Sequence, residues 1–218
     1  MYKRGLTLIA LMGILLSIMG CSATAAHQNR TGFLHSYENL ENEQIQSFFF
    51  FEIMPDANLS VYTKILIPDI KVIAGTQSST AKENELYIQT SAYATAAYRK
   101  NIIKNSANYT VVDVAQKDTI IMQIALSMVE VHPDDSSWDN LTSLPFSLTS
   151  NSYTSYAEGN VRLLVEAKIS DAMDNRLLAH SMRIIMDEEI SLHDGNKLQF
   201  IDFQKALDTW LNKALVKR

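Results

Sequence analysis

The sequence predicts an α+β (or α/β) domain, a mixed, mainly antiparallel sheet covered by a long central helix and a C-terminal helix. Three features carry that expectation. Residues 118–131 and 161–169 alternate apolar and polar side chains with a period of two, as half-buried strands do. Residues 82–105 lack glycine and proline and have an alanine-rich middle, Ala92, Ala94, Ala96 and Ala97, which favours one long helix able to approach a sheet closely. Towards the end, Phe200, Phe203, Leu207, Trp210, Leu211 and Ala214 recur at helical spacing as a single apolar stripe.

In chain order, the first element is a leader. Residues 1–4 are short and basic, residues 6–19 are almost unbroken apolar chain, and Gly20-Cys21 follows, the order of a secretory signal peptide with its cleavage site. The apolar run is about 14 residues, short of the roughly 20 that a spanning helix needs. Cys21 is the only cysteine, so no intrachain disulfide and no cysteine-based metal cluster can form. Its position resembles the lipobox of bacterial lipoproteins, with Met19 where a small residue is more usual. That resemblance implies cleavage between Gly20 and Cys21 and a lipid on the Cys21 thiol; two or three acyl chains on one residue hold a protein on a membrane durably, where one gives only marginal residence. Ser22 lacks the aspartate that retains lipoproteins at the inner membrane in enteric bacteria, which favours outer-membrane sorting. Residues 21–30 are small and polar and read as a flexible tether, and residues 31–218 as a single globular domain.

Within that domain, Phe48-Phe49-Phe50-Phe51 puts rings on both faces of any strand and is expected to be a buried edge segment rather than an exposed patch that touches a partner or a membrane. Residues 62–73 are rich in β-branched side chains and interrupted by Pro68, which predicts a strand broken at a bulge or edge. Residues 109–114 form a short strand, and in residues 118–131 Met122, Ile124, Leu126 and Met128 alternate with Gln123, Ala125 and Ser127. Residues 133–156 are loop-like. The next strand shows Val161, Leu163, Val165, Ala167 and Ile169 on one face and Arg162, Glu166 and Lys168 on the other. Asp and Asn tolerate turn conformations, so residues 171–175 read as the turn of a hairpin whose second strand is residues 176–186. Asn196 with Gln199 is the expected cap of the last helix.

Composition narrows the function classes. Hydrophobic residues are 47% of the 218 and charged residues 20%, the mixture of an ordinary folded domain. Without Lys3 and Arg4 of the leader, 17 basic residues face 24 acidic ones, a net charge of −7 with no long basic run, which argues against nucleic acid as a partner.

The chemistry-bearing residues form no recognisable site. His27, His35, His132, His180 and His193 include no pair at metal-ligand spacing, and His180, between Leu178 and Met182 on its own face, reads as a satisfied structural histidine. No nucleophile elbow, phosphate loop or dinucleotide fingerprint occurs, so no cofactor is expected. The carboxylates Asp134, Asp135 and Asp139, and Asp187, Glu188 and Glu189, do not fit calcium-loop spacing and read as solvated. Asn58, Asn108 and Asn140 each head a glycosylation triplet, which is chance in a bacterial lipoprotein.

Several short segments together resemble DUF3313, a family of bacterial lipoproteins of unknown function: Thr31-Gly32-Phe33-Leu34 with Tyr37 and Leu40, Asp56-Ala57-Asn58-Leu59 with Tyr62, Lys64-Ile65-Leu66-Ile67, the hairpin of residues 166–179 and the helix of Trp210. The chain departs from the family pattern at Asn175, where a glycine is usual, and at residues 48–51. The resemblance implies lipoprotein character and an α/β body, and supplies no catalytic residues.

The expectation for function is an outer-membrane lipoprotein facing the periplasm, a non-enzymatic accessory or assembly factor that binds another envelope protein. Trp138, Phe146, Tyr153 and Tyr156 are the candidate contact residues, because aromatic side chains in a polar loop supply interface anchors. The alternative is a periplasmic small-ligand binder or hydrolase with a pocket near residues 132–156, using His132, Asp134 and Asp139.

Overall fold

Residues 119–131 alternate two sets of apolar side chains, and both sets are buried. A computed structural model describes residues 31–34, 37, 49–73, 81–106, 108–131, 142–144, 160–188, 190 and 199–213. The chain divides into two units between Arg30 and Thr31, and every described residue lies in the second. Its elements are β1 (Phe49–Ile53), a 3-10 turn (Leu59–Val61), β2 (Lys64–Leu66), β3 (Lys71–Val72), α1 (Ala81–Asn105), β4 (Thr110–Val112), β5 (Thr119–Val131), β6 (Thr142–Leu144), β7 (Asn160–Asp171), β8 (Leu177–Ile185) and α2 (Phe200–Lys213).

The strands form one mixed sheet in the order β1-β8-β7-β5-β2-β4, with β3 and β6 also paired to β5. β5 runs antiparallel to β7 from Ile120 opposite Asp171 to Val131 opposite Asn160. Its other edge is shared in relay: β2 takes Thr119 to Ile121, β3 takes Ala125 and Leu126, and β6 takes Met128 to Glu130. β2 and β3 run parallel to β5, and the link between them contains Pro68, whose missing N–H interrupts the ladder as expected. β6 was not expected, since it lies inside the loop-like residues 133–156; its three pairs with β5 supply the strand character that its own sequence lacks.

One face of the sheet carries Ile120, Ile124, Leu126, Met128, Leu163 and Val165, and the two helices cover it with Ala94, Tyr98, Phe203, Leu207 and Trp210. Tyr98 stacks on Trp210, with ring centroids 5.2 Å apart. Of the small residues in α1, Ala94 is fully buried, whereas Ala92 and Ala96 face solvent. Helix α1 is also tied to the link between β2 and β3: Ile70 N–H donates to Thr95 Oγ1 at 2.9 Å, Ser91 Oγ donates to Ile70 O at 2.6 Å and Arg99 Nε donates to Ile67 O at 3.1 Å.

The opposite face is a second core, so β5 is buried on both sides through its middle rather than half-buried. Ala125, Val129, Leu164, Met182 and Ile184 pack there beneath Phe33, Leu34 and Tyr37 from the start of the domain. Edge strand β1 also departs from expectation. Phe50 turns towards this second core, but Phe49 and Phe51 are 37% and 45% exposed, because they lie on the helix-covered face beyond the described helices. Phe48 lies outside the described residues, as does Asn196. The cap at α2 is made by Asp202, whose Oδ2 accepts from Gln199 N–H at 2.7 Å.

The β7–β8 hairpin is held by Asp171. Its Oδ1 accepts from Met173 N–H at 2.6 Å, and Tyr62 Oη donates to its Oδ2, also at 2.6 Å. The Tyr62 hydroxyl and then the Met173 amide hold this carboxyl below the usual range. Asn175 closes the turn at φ 61°, a left-handed backbone that asparagine tolerates and glycine takes without cost, which explains the family's usual glycine there. Asn175→Gly is expected to leave urea stability unchanged or slightly raised, and Asn175→Val to lower it by about 1–2 kcal/mol; equal stabilities would show that the turn conformation carries no constraint.

Candidate functional site

The most highly organised polar cluster lies on the sheet face away from the helices. Cross-strand register sets it out in two neighbouring rows. One row holds Glu52 on β1, His180 on β8, Lys168 on β7 and Gln123 on β5; the next holds Phe50, Met182, Glu166, Ala125 and, on β3, Lys71. Side chains two apart on a strand share a face, so the rows lie side by side.

Glu166 is 1% exposed. A buried carboxylate is costly unless its oxygens are satisfied. Tyr37 Oη donates to Glu166 Oε1 at 2.8 Å, and Thr31 Oγ1 donates to Oε2. The two hydroxyls are 3.0 Å apart, Phe33 N–H donates to Thr31 Oγ1 at 3.1 Å and Leu34 N–H donates to Tyr37 Oη at 3.2 Å. The Thr-Gly-Phe-Leu segment with its tyrosine is thus a clasp that folds over one glutamate. Gly32 supplies the bend at φ 72°, a left-handed conformation suited to glycine. Phe33 also receives the Lys168 ammonium at 4.4 Å from its ring centre.

The electrostatics follow from burial. The Tyr37 hydroxyl is pushed up to about 12, first by burial and then by the Glu166 charge. Lys168 is lowered, first by burial and then by neighbouring Lys71, with Glu166 acting in the opposite direction. His180 Nε2 lies 2.7 Å from Glu52 Oε2. A carboxylate only accepts, so Nε2 carries the hydrogen, and in the neutral ring Nδ1 is an acceptor; it is buried without a partner among the described residues. His180 is thus buried as its strand position predicted, but only its Nε2 is satisfied among the described residues.

With Glu166 held by two hydroxyls under Phe33 and Leu34, the cluster is built to fasten the first residues of the domain onto the sheet. Alternation in residues 161–169 assigned Glu166 to the polar face, and the Thr31-Gly32-Phe33-Leu34 segment with Tyr37 entered the sequence reading through the family resemblance. The missing fact was that Thr31, Phe33, Leu34 and Tyr37 cover that face. Tyrosine and threonine in the opening motif, opposite an acid in an otherwise alternating strand, were the available signal.

The other candidates fall elsewhere. Gly20 and Cys21, the contact candidates Trp138, Phe146, Tyr153 and Tyr156, and the pocket residues His132, Asp134 and Asp139 all lie outside the described residues. Among the described residues, no three His, Cys, Asp or Glu side chains are grouped to hold a metal ion. No described helix is long and apolar enough to cross a membrane.

The sequence matches the family DUF3313, a protein of unknown function, over residues 29–214. The chain belongs to DUF3313. The match takes in the clasp, the β7–β8 hairpin and α2, so the features that organise this DUF3313 domain lie within the family's own span. No curated protein matches the chain. Among solved structures, a DUF4136 family protein from Bacteroides thetaiotaomicron is similar at 8% identity and TM-score 0.35, over 76% of this chain and 92% of that one. A PDZ domain protein from Parabacteroides distasonis is similar at 12% identity and TM-score 0.36, over 78% of this chain but 36% of that one. A homolog of neuraminyllactose-binding hemagglutinin from Helicobacter pylori is similar at 7% identity and TM-score 0.32, over 71% and 81% of the two chains. These likenesses carry no argument about what the DUF3313 chain does.

Two outcomes follow from the clasp. Tyr37→Phe leaves Glu166 short of a partner and is expected to cost about 2 kcal/mol in urea unfolding, with coupling above about 1 kcal/mol in a double-mutant cycle with Glu166→Gln; additive effects would mean that the bond contributes nothing. Tyr37 and buried Tyr98 are both raised from 10 to about 12. Folding favours their neutral forms, so their contribution is complete below pH 10 and is lost as pH rises from 10 to 12. Stability that stays flat across that window, measured by urea titration, would contradict this assignment.

Proposed function

We propose that this protein is an outer-membrane lipoprotein facing the periplasm, a non-enzymatic accessory or assembly factor whose folded body binds another envelope protein. The observation that carries the reading is Cys21. It is the chain's only cysteine, it directly follows an apolar leader, and it stands ten positions before Thr31, the first residue of the clasp. Cleavage between Gly20 and Cys21 and acylation of Cys21 would leave a short tether that runs straight into the residues bound to Glu166. A pull on the anchor is then transmitted to the middle of the sheet through hydrogen bonds and the burial of Phe33, Leu34 and Tyr37, rather than through a fraying end.

The deciding experiment is intact-mass analysis and membrane fractionation of wild type and Cys21→Ser expressed in a Gram-negative host. The expected result is a wild-type chain beginning at Cys21, heavier by the mass of its lipid and held in the outer-membrane fraction, with Cys21→Ser unprocessed and without lipid. Equal masses and release of both variants as soluble periplasmic protein would end the lipoprotein reading. Crosslinking of the wild-type fraction tests the partner: a discrete crosslinked protein is expected, and its absence at every crosslinker length would count against a binding role.

A further inference from the structure

We infer that the free edge of β3 and the adjoining side of α1 form a groove for an extended, acidic segment of a partner protein, which adds to β3 as a further strand. The inference rests on the partner-binding reading above and gives it a surface and a ligand class; it does not depend on the lipid anchor.

The two elements bound a cleft of about 620 Å³, lined on the strand side by residues 69–73 and on the helix side by Tyr87, Ile88, Ser91 and Ala92. In a strand, the N–H and C=O of one residue point to the same side and those of the next residue to the other. Ile73 N–H donates to Leu126 O, and Lys71 is in register with Ala125, so residues 71 and 73 turn their main-chain groups to β5. Residues 70 and 72 therefore turn theirs away. The Ile70 pair is already taken, N–H by Thr95 Oγ1 and C=O by Ser91 Oγ. The next outward pair, on Val72, has no such hydroxyl beside it among the described residues and faces the cleft. It offers one donor and one acceptor at strand spacing, the requirement for adding a strand.

Side chains define the segment. Ile88 is 70% exposed on the helix wall, which suits an apolar side chain of the segment. Among the described residues Lys71 makes no ion pair or hydrogen bond, and it stands beside a second cation, Lys168, while nearby Glu166 is occupied by the clasp. An acid opposite Lys71 complements that charge, as opposite charges do across paired strands. Asp69 is also unpaired among the described residues, but it precedes Ile70, where α1 closes the edge, so it bounds the groove instead of facing the segment's middle.

The test pans the purified protein, kept in detergent, against a displayed library of random heptapeptides. Wild type is expected to enrich peptides that alternate apolar side chains and carry Asp or Glu, to slow amide exchange at Val72 when they bind, and to lose at least tenfold in affinity for them as Lys71→Glu. Val72→Pro removes the outward N–H, together with the Val72 side chain that packs on the helix-side core, and is expected to weaken binding at least tenfold with an unchanged far-ultraviolet spectrum; if that variant misfolds, Lys71→Glu and the Val72 exchange rate decide. No enrichment over the Lys71→Glu chain, or selected peptides without acids, overturns the groove. If partners crosslinked to wild type persist undiminished with both variants, the groove is wrong and the partner reading stands.

Discussion

Everything in this fold is hung on β5, a strand of thirteen residues that has more edge than any one neighbour can fill. β7 satisfies one edge along almost its whole length, and three short strands share the other. Buried N–H and C=O groups must be paired, so a long central strand dictates where β2, β3 and β6 lie. Those pairings then place the helices: α1 must return beside β3 and hold its edge through Ser91 and Thr95, and α2 fills the remaining apolar face.

Burying both faces of β5 raises a second requirement, because the helices cover only one. The first residues of the domain cover the other. Phe33 and Leu34 supply apolar area worth roughly 1.5–3 kcal/mol each when fully buried, and Thr31 and Tyr37 make the burial of Glu166 tolerable. An apolar residue at 166 would pack against the same cover without any desolvation cost. The carboxylate adds direction, since only one placement of the segment brings both hydroxyls to its two oxygens.

Sheet edges are handled differently at the two places where they are best described. Among the described residues, β3 is closed at Ile70 by helix hydroxyls and left open at Val72, beside a lysine without an ion pair. β1, at the end of the sheet, keeps Phe49 and Phe51 stacked on each other with Arg183 near the Phe49 ring. Stacked rings and a neighbouring guanidinium limit the apolar area that this edge presents to water.

The sequence by itself determined the period-two strands, the long helix, the C-terminal stripe, the hairpin turn at residues 171–175 and the family, because each is set by spacing within a short window. Only the tertiary structure decided what covers the second face. Alternation in residues 161–169 marks one face as apolar and assigns Glu166 to the other by default; whether that other face meets water or a second layer depends on residues more than a hundred positions away. Phe49 and Phe51 show the same limit in reverse, since they read as buried until the sheet order places them at its end, past the described helices. β6 was illegible for the same reason, being a strand only because β5 offers it an edge. Local chemistry fixes which elements form, but burial and pairing are properties of neighbours, and in this fold the deciding neighbours are distant in the chain.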